Sequence, residues 1–243
     1  MRTFVDLNLR PALLQEGRWS ELISKAVTLG FTIVAFSLPV SVNDKLAVRI
    51  REECQVKGLD FVTRIDLKPK SSPEMLKQLR RHRRRFEILA VDCTKKAIAR
   101  TAARDHRVDL LSFPSLDSRF RFFDQAEAKL ASQSNSALEI EIAMLLSVSG
   151  SYRARFLHSL RKEVAIAQKF DVPIVLSTGA TDPYMMRSPQ DLVCLSLLFG
   201  MLKESGLDAV SVTPCTIVER NRKKLRSDYV ARGIRLVHQG EDT

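Results

Sequence analysis

Aromatic residues are scarce: one Trp, three Tyr and twelve Phe make up 7% of the 243-residue chain. So few rings leave little for an extended base-stacking platform. The group Phe113, Phe120, Phe122 and Phe123, beside Arg119 and Arg121, has a spacing that favours a core role. Cysteine is as sparse. Cys54, Cys93, Cys194 and Cys215 form no Cys-x-x-Cys pair, which excludes a zinc knuckle or a dithiol redox motif and leaves reduced, mostly buried thiols as the expectation. The four histidines (His82, His106, His158, His238) end no expected strand and form neither His-x-His nor His-Glu-x-x-His, so a zinc or binuclear centre lacks its usual nitrogen ligands. No Gly-x-Ser-x-Gly elbow and no Walker loop is present. Long hydrophobic runs are missing too: the longest, 192–202, is broken by Ser196 and Gly200 and is too short to span a bilayer. The opening residues read as a strand, not a secretory leader, so the mature chain is expected to begin near Met1 and to be cytoplasmic.

What remains is a globular composition, 45% hydrophobic and 28% charged, with nine Gly and nine Pro. Short β-rich runs alternate with amphipathic stretches from end to end, the pattern of βα units around a parallel sheet. Eight strands are expected, at 3–7, 32–37, 59–67, 87–92, 108–113, 137–142, 174–178 and 209–213. An open doubly wound sheet would carry a Gly-rich turn after its first strand, whereas here the turn reads Asn8, Leu9, Arg10, Pro11. The fold class is therefore a single α/β barrel of the TIM type over 1–237, followed by a short tail at 238–243. Trp19, Leu22, Ile23, Ala26 and Val27 form one helical face that ends at Gly30, and Phe156, Leu160, Val164 and Ala167 form another. Ser188, Pro189 and Asp191 read as an N-cap, a first-turn proline and a capping-box acid.

Charge is strongly one-sided, with 39 Lys and Arg against 28 Asp and Glu, a formal +11. It is also local. Residues 68–107 hold thirteen basic and four acidic residues, residues 214–237 seven and two, and the rest of the chain is mildly acidic at −3. The densest point, Arg80, Arg81, Arg83, Arg84 and Arg85, ends a helix and so belongs on the barrel's bottom or outer surface. Guanidinium forks match phosphate oxygens and stack on bases, which favours nucleic acid over a membrane surface, although helix-end charge complementing the macrodipole is the alternative. Lys95, Lys96, Arg100, Arg220, Arg222, Lys223 and Lys224 extend the candidate phosphate-contact set by charge and local density.

Barrel enzymes place their chemistry at the C-terminal ends of the strands. Here those ends carry Asp6, Asp66 and Asp92, joined by Glu139 and Glu141 on one face of a strand. These carboxylates could hold a hard cation or serve as acid and base; alternatively Lys and Arg balance them inside the mouth. Ser177, Thr178 and Gly179 form a small-residue turn where barrels often bind phosphate, or simply a tight strand-to-helix turn.

The run from Pro173 through Ser177, Thr178, Gly179 and Ala180, followed by Arg187, Ser188, Pro189, Gln190, Asp191 and Leu192 and closed by Gly200, resembles the RNase P protein component 3 family of archaea and eukaryotes. Phe4, Val5, Asp6, Leu7, the acidic strand Leu138, Glu139, Ile140 and the ending Val218, Glu219, Arg220, Asn221 extend the resemblance over nearly the whole chain. Its short length is closer to the archaeal members. The resemblance implies a TIM-type barrel related to the polymerase and histidinol phosphatase barrels. It also implies a non-catalytic subunit of the complex that removes 5′ leaders from precursor tRNA. The implied partners are RNase P RNA, a second protein subunit bound directly and, indirectly, precursor tRNA. No cofactor is implied for the chain itself; Mg²⁺ is expected on the RNA. The related phosphatases end their first strand in His-x-His, where this chain has Asp6, Leu7, Asn8, Leu9. A metal-dependent phosphoesterase using Asp6, Asp66, Asp92 and Glu139 is the alternative.

Overall fold

The computed structural model describes residues 2–11, 18–41, 44–231 and 234–235; the expected tail at 238–243, including His238, lies outside the described residues. Seven parallel strands pair in chain order: β1 (Val5–Leu9), β2 (Ile33–Ser37), β3 (Asp60–Leu67), β4 (Ile88–Asp92), β5 (Leu110–Ser112), β6 (Ala137–Glu141) and β7 (Ile174–Ser177). Parallel neighbours need a crossover. It is supplied by α1 (Arg18–Leu29), α2 (Asp44–Val56), α3 (Ser72–His82), α4 (Lys96–Arg104), α5 (Gln125–Ser134), then α6 (Ile142–Leu146) with α7 (Gly150–Lys169). After β7 come α8 (Pro189–Leu197), α9 (Lys203–Ala209) and α10 (Val212–Leu225), then a small antiparallel pair, β8 (Tyr229–Ala231) and β9 (Ile234–Arg235). Among the described residues no helix is long and apolar enough to cross a membrane.

The eighth expected strand, 209–213, is not a strand. Ala209 ends α9 and Val212 opens α10. Between them the Ser211 hydroxyl turns back to the Leu207 carbonyl, and Pro214 in the first turn of α10 has no N–H for a ladder. This segment nevertheless stands in the gap, because the Val5 N–H donates to the Val210 carbonyl at 2.9 Å. At the upper end Leu9 bridges Ala180, and the Arg10 N–H donates to the Ala180 carbonyl at 2.8 Å. Seven strands thus make a nearly closed barrel whose seam lies between β1 and β7.

Alternation along the strands builds two cores. Val5, Leu7, Ile33, Ala35, Val62, Ile88, Ala90, Leu110, Ala137 and Val175 fill the lower lumen, and Ile217 and Val218 of α10 plug it from below. The opposite faces pack against the helices, burying Trp19, Leu22, Ile23 and Ala26 of α1 and Phe156, Leu160, Val164 and Ala167 of α7, as their spacing predicts. Val27, expected on the same face, is exposed, and so is Cys194 among the thiols expected to be buried. Ser188 and Asp191 form the expected reciprocal capping box at α8.

Asp6 latches the seam. Its buried carboxylate accepts from the Thr178 hydroxyl, from the Thr178 N–H at 3.1 Å and from the Asn8 N–H at 3.1 Å. Replacing Asp6 by Ala orphans three buried donors, and the expected loss is roughly 2–3 kcal/mol of unfolding free energy in urea. A loss below about 0.5 kcal/mol would mean the seam closes without this latch.

Candidate nucleic-acid interface and the barrel mouth

Inward-pointing positions change character above the apolar layers. On β3 the alternation continues from Val62 to Arg64 and Asp66, and on β6 from Ala137 to Glu139 and Glu141. The Arg64 side chain is fully buried and binds Glu139 as a two-pronged fork, with Nη1 to Oε1 at 2.6 Å and Nη2 to Oε2 at 2.7 Å. Its Nε donates to Asp66 Oδ1 at 2.7 Å and its Nη1 to the Leu7 carbonyl at 2.7 Å. Arg10 covers this layer, with Nη2 2.6 Å from Glu141 Oε1 and Nε 3.6 Å from Asp66 Oδ2. Ser37, Ser112 and Ser177 donate hydroxyls to Asp66, Glu141 and Glu139.

The mouth carboxylates are therefore balanced by two arginines rather than arranged around a cation. The alternative site of Asp6, Asp66, Asp92 and Glu139 does not assemble: Asp6 turns to the seam, and Arg64 occupies the space between Asp66 and Glu139. Among the described residues no group of three or more His, Cys, Asp and Glu is placed to hold a metal ion. Burial pushes Asp66 up, but Arg64 and Arg10 more than reverse it and hold its carboxyl below the usual carboxylate range. Asp92 has no such cover. Burial, reinforced by the charges of Asp66 and Glu141, pushes it up to about 6, against the weaker opposition of Lys68 at 4.0 Å and of Arg10. Neither Arg10 nor Arg64 stood out from the sequence, although Arg64 shares the inward parity of Asp66 two residues on.

The small-residue turn is part of the same construction. Ser177 and Thr178 bind Glu139 and Asp6, and Gly179, at φ +65°, lies against Glu141, where a Cβ would come within 3.2 Å of its carboxylate. Arg187 donates from Nη1 to the Tyr184 and Met186 carbonyls, both at 2.8 Å, while Ser188 and Pro189 start α8.

At the opposite end two basic stretches far apart in sequence converge. Strands β3, β4 and β5 begin beside Asp60, Glu87 and Asp109, and α10 crosses beneath them. Asp109 is bound from both sides, by Arg83 of the arginine run at 2.5 Å and by Arg220 of α10 at 2.9 Å. Arg222 grips Asp60 and Glu87, each at 2.6 Å. Arg83, Arg220 and Arg222 thus hold the floor together. Arg80, Arg81, Arg84 and Lys223 are exposed and have no ion-pair partner among the described residues. Crowding is visible at Lys224, whose ammonium is pushed down by burial and by the charges of Arg220 and Arg83. A cleft of about 400 Å³ opens on this floor, with Arg51, Arg85, Arg222 and Arg226 around Glu87. Arg51 was invisible to charge counting because Glu52 and Glu53 follow it.

The structure separates the remaining candidates from this floor. Lys95 and Lys96 open α4 at the mouth end, where Lys95 Nζ donates to the Lys70 carbonyl at 3.0 Å and Lys96 pairs with Asp124 at 3.2 Å. Arg100, on the flank, pairs with Glu127 at 3.2 Å.

Fold and site together define a TIM-type barrel whose usual chemical end is sealed by ion pairs and whose floor is basic. Residues 3–226 match the sequence profile of the RNase P subunit p30 family, and the chain belongs to that family. Ribonuclease P protein component 3 of Methanococcoides burtonii is 28% identical over 97% of this chain and 94% of that protein. The Methanosarcina mazei protein of the same name is 30% identical over 91% and 90%. Among solved structures, a chain from a cryo-EM structure of archaeal ribonuclease P with mature tRNA superposes with a TM-score of 0.83 at 23% identity, covering 97% of this chain and all of that one. A putative prolidase from Bifidobacterium longum shares the barrel more distantly, with a TM-score of 0.53, 12% identity and coverage of 91% and 70%.

Two outcomes follow from the mouth. Arg64→Ala leaves Glu139 buried without a counter-charge and is expected to cost about 3–5 kcal/mol in urea unfolding, most of it recovered by R64M combined with E139L. Asp92 titrates near 6 when folded and near its ordinary 3.8 when unfolded, so its ionisation opposes folding above pH 6 and is silent once both states are protonated. Asp92→Asn should raise the urea midpoint at pH 7.5 and leave it unchanged near pH 3. The same gain at both pH values would refute the assignment.

Proposed function

We propose that this chain is a protein subunit of ribonuclease P that supports removal of 5′ leaders from precursor tRNA, with RNA as the catalyst. The observation that carries this reading is the floor: arginines from α3 and its following turn and from α10 meet around three carboxylates, and the excess cations face solvent. In this reading the exposed side chains Arg80, Arg81, Arg84, Arg85 and Lys223 meet phosphates of RNase P RNA. Arg83, Arg220 and Arg222 support that surface from behind through their ion pairs.

The sealed mouth supports a non-catalytic role, since its acids already have arginine and serine partners. Mg²⁺ belongs to the RNA in this reading, and no cofactor is assigned to the chain. Its direct partners are the RNA and a second protein subunit, with precursor tRNA reached through the assembled complex in the cytoplasm.

Replacing Arg80, Arg81, Arg84 and Lys223 together by Ala should weaken binding to RNase P RNA. It should also reduce the slope of log K against log salt by about 3 units, for four lost phosphate contacts. An unchanged slope would falsify the floor as the RNA-facing surface. Arg83→Ala is expected instead to lower unfolding free energy, because Asp109 loses one of its two counter-charges.

A further inference from the structure

Three aromatic side chains are exposed among the described residues: Phe120 at 53%, Tyr152 at 68% and Tyr184 at 89%. They come from distant parts of the sequence, yet topology places all three on the mouth rim above the neighbouring strands β5, β6 and β7. Phe120 lies in the connection from β5 to α5, Tyr152 in the first turn of α7, and Tyr184 between β7 and α8.

Phe120 and Tyr184 are each carried by a firmly built support. Below Phe120, the nearly buried Arg121 forks onto Glu163 with two 2.6 Å bonds and donates to the Phe113 and Ser115 carbonyls at 2.6 and 2.9 Å. Its guanidinium also stands 5.1 Å over Phe156, and Phe113 meets Phe123 edge-on at 5.8 Å. Two of the four phenylalanines expected in the core are therefore there, Phe122 is partly buried, and Phe120 is displayed. Behind Tyr184, the Asp182 carboxylate accepts the Tyr184 N–H at 2.9 Å, and Arg187 ties the Tyr184 carbonyl. A loop held this tightly has little ordering entropy left to lose on binding.

Arginines interleave with the rings. Arg155 stands 5.2 Å over Tyr152 and Arg119 stands 6.0 Å over Phe120, while Arg153 is exposed one residue from Tyr152. Arg119 is itself forked onto Asp117, with Nη2 2.6 Å and Nε 3.0 Å from Oδ2, and Arg153 donates from Nε to the Val148 carbonyl at 2.7 Å, so the surplus positive charge of this sector sits on Arg153, Arg155 and Arg187. Phe122 and Arg121 face inward, so the display of rings and cations on this sector is selective. Of the exposed aliphatic residues, Leu116 shares the β5–α5 connection with Phe120, whereas Leu197, Leu198, Leu202 and Val212 lie around α8 to α10.

We propose that this rim binds an unpaired RNA segment, with bases stacking on Phe120, Tyr152 and Tyr184 and phosphates meeting Arg153 and Arg155. The inference rests on the reading of the chain as an RNA-binding subunit, and adds a second contact at the end opposite the floor. The excess of cations favours a polyanion over a protein, and separated π faces between cations suit a single strand, whose bases are free to stack.

The test uses the full chain with a fluorescein-labelled uridine oligomer and a blunt RNA duplex of the same length. F120A, Y152A and Y184A should each weaken binding of the single strand about five- to hundredfold, with the salt slope and duplex affinity unchanged. F120W and Y184W should retain it. Single-strand affinity that survives the triple Ala variant, while the floor variant still loses its salt slope, overturns the rim and leaves the RNA-binding reading standing. If the floor variant also binds normally, both readings fall. A third arm mixes the variants with the other protein subunits of the complex without RNA. Loss of a protein partner in that arm, with single-strand binding intact, assigns the rim to protein docking and overturns the proposal.

Discussion

Everything above the apolar lumen depends on the Arg64 guanidinium. It makes four hydrogen bonds, to Glu139 twice, to Asp66 and to the Leu7 carbonyl, and these tie β3 to β6 and β1 across the barrel. A charge in so closed a space is tolerable only because its counter-ions have geometry that matches the fork. The converse holds for Glu139 and Asp66, which would repel each other in a low-dielectric mouth without the arginine between them. Arg10 extends the balance one layer up, to Glu141. A barrel mouth built of acids is usually a place to hold a cation and do chemistry. Here an internal cation fills that place, so the acids become struts.

The floor obeys a similar logic with the opposite excess. Asp60, Glu87 and Asp109 stand where strands begin, and each attracts arginine from α10 or from the turn after α3. The Arg222–Asp60 pair is partly exposed and modest by itself, whereas Asp109 and Glu87 are buried and depend on their arginines for counter-charge. Together they fasten α10 beneath the lumen, where Ile217 and Val218 replace the packing that an eighth strand would have supplied. Because the carboxylates number fewer than the cations around them, the surplus arginines and lysines remain turned outward.

Much of this architecture is legible in the sequence, and the parts that are not have physical causes. Alternating βα units indicate the barrel because a parallel sheet needs crossovers, and the capping box at Ser188 fixes the start of α8 because its chemistry is local. The segment 209–213 misleads because Ala-Val-Ser-Val has the look of a short strand, while its fate depends on Leu207 and Pro214 on either side. Charge counting locates the arginine run but treats Arg80 and Arg83 alike. Only the placement of Asp109, 26 residues beyond Arg83 in the chain, separates a displayed cation from a structural one. Arg64 and Arg10 escape for the same reason: a lone arginine in or just after a strand carries no local sign that Asp66, Glu139 and Glu141 will gather around the pair. Phe120 escapes in the other direction, since helical spacing is shared with Phe123 and nothing local marks which ring the Arg121 staple will push outward.

Sealing the mouth also changes what its rim can do. In a barrel enzyme the loops above the strands close over substrate, and their motion serves entry and release. Arg64 and Arg10 fill the opening, and the loops above β5 to β7 are held by internal ties, Arg121 to Glu163 and Arg187 to the Tyr184 carbonyl. A fixed rim that displays rings and arginines is suited to a long partner lying across it. The basic floor stands at the other end of strands only three to eight residues long. At about 3.3 Å per residue, the rigid lumen separates these two surfaces by a distance on the order of 15–25 Å, comparable to the width of an RNA helix. In the proposed reading the barrel acts as a spacer: its packed interior would fix how far apart two RNA segments are held, a structural contribution made by packing alone.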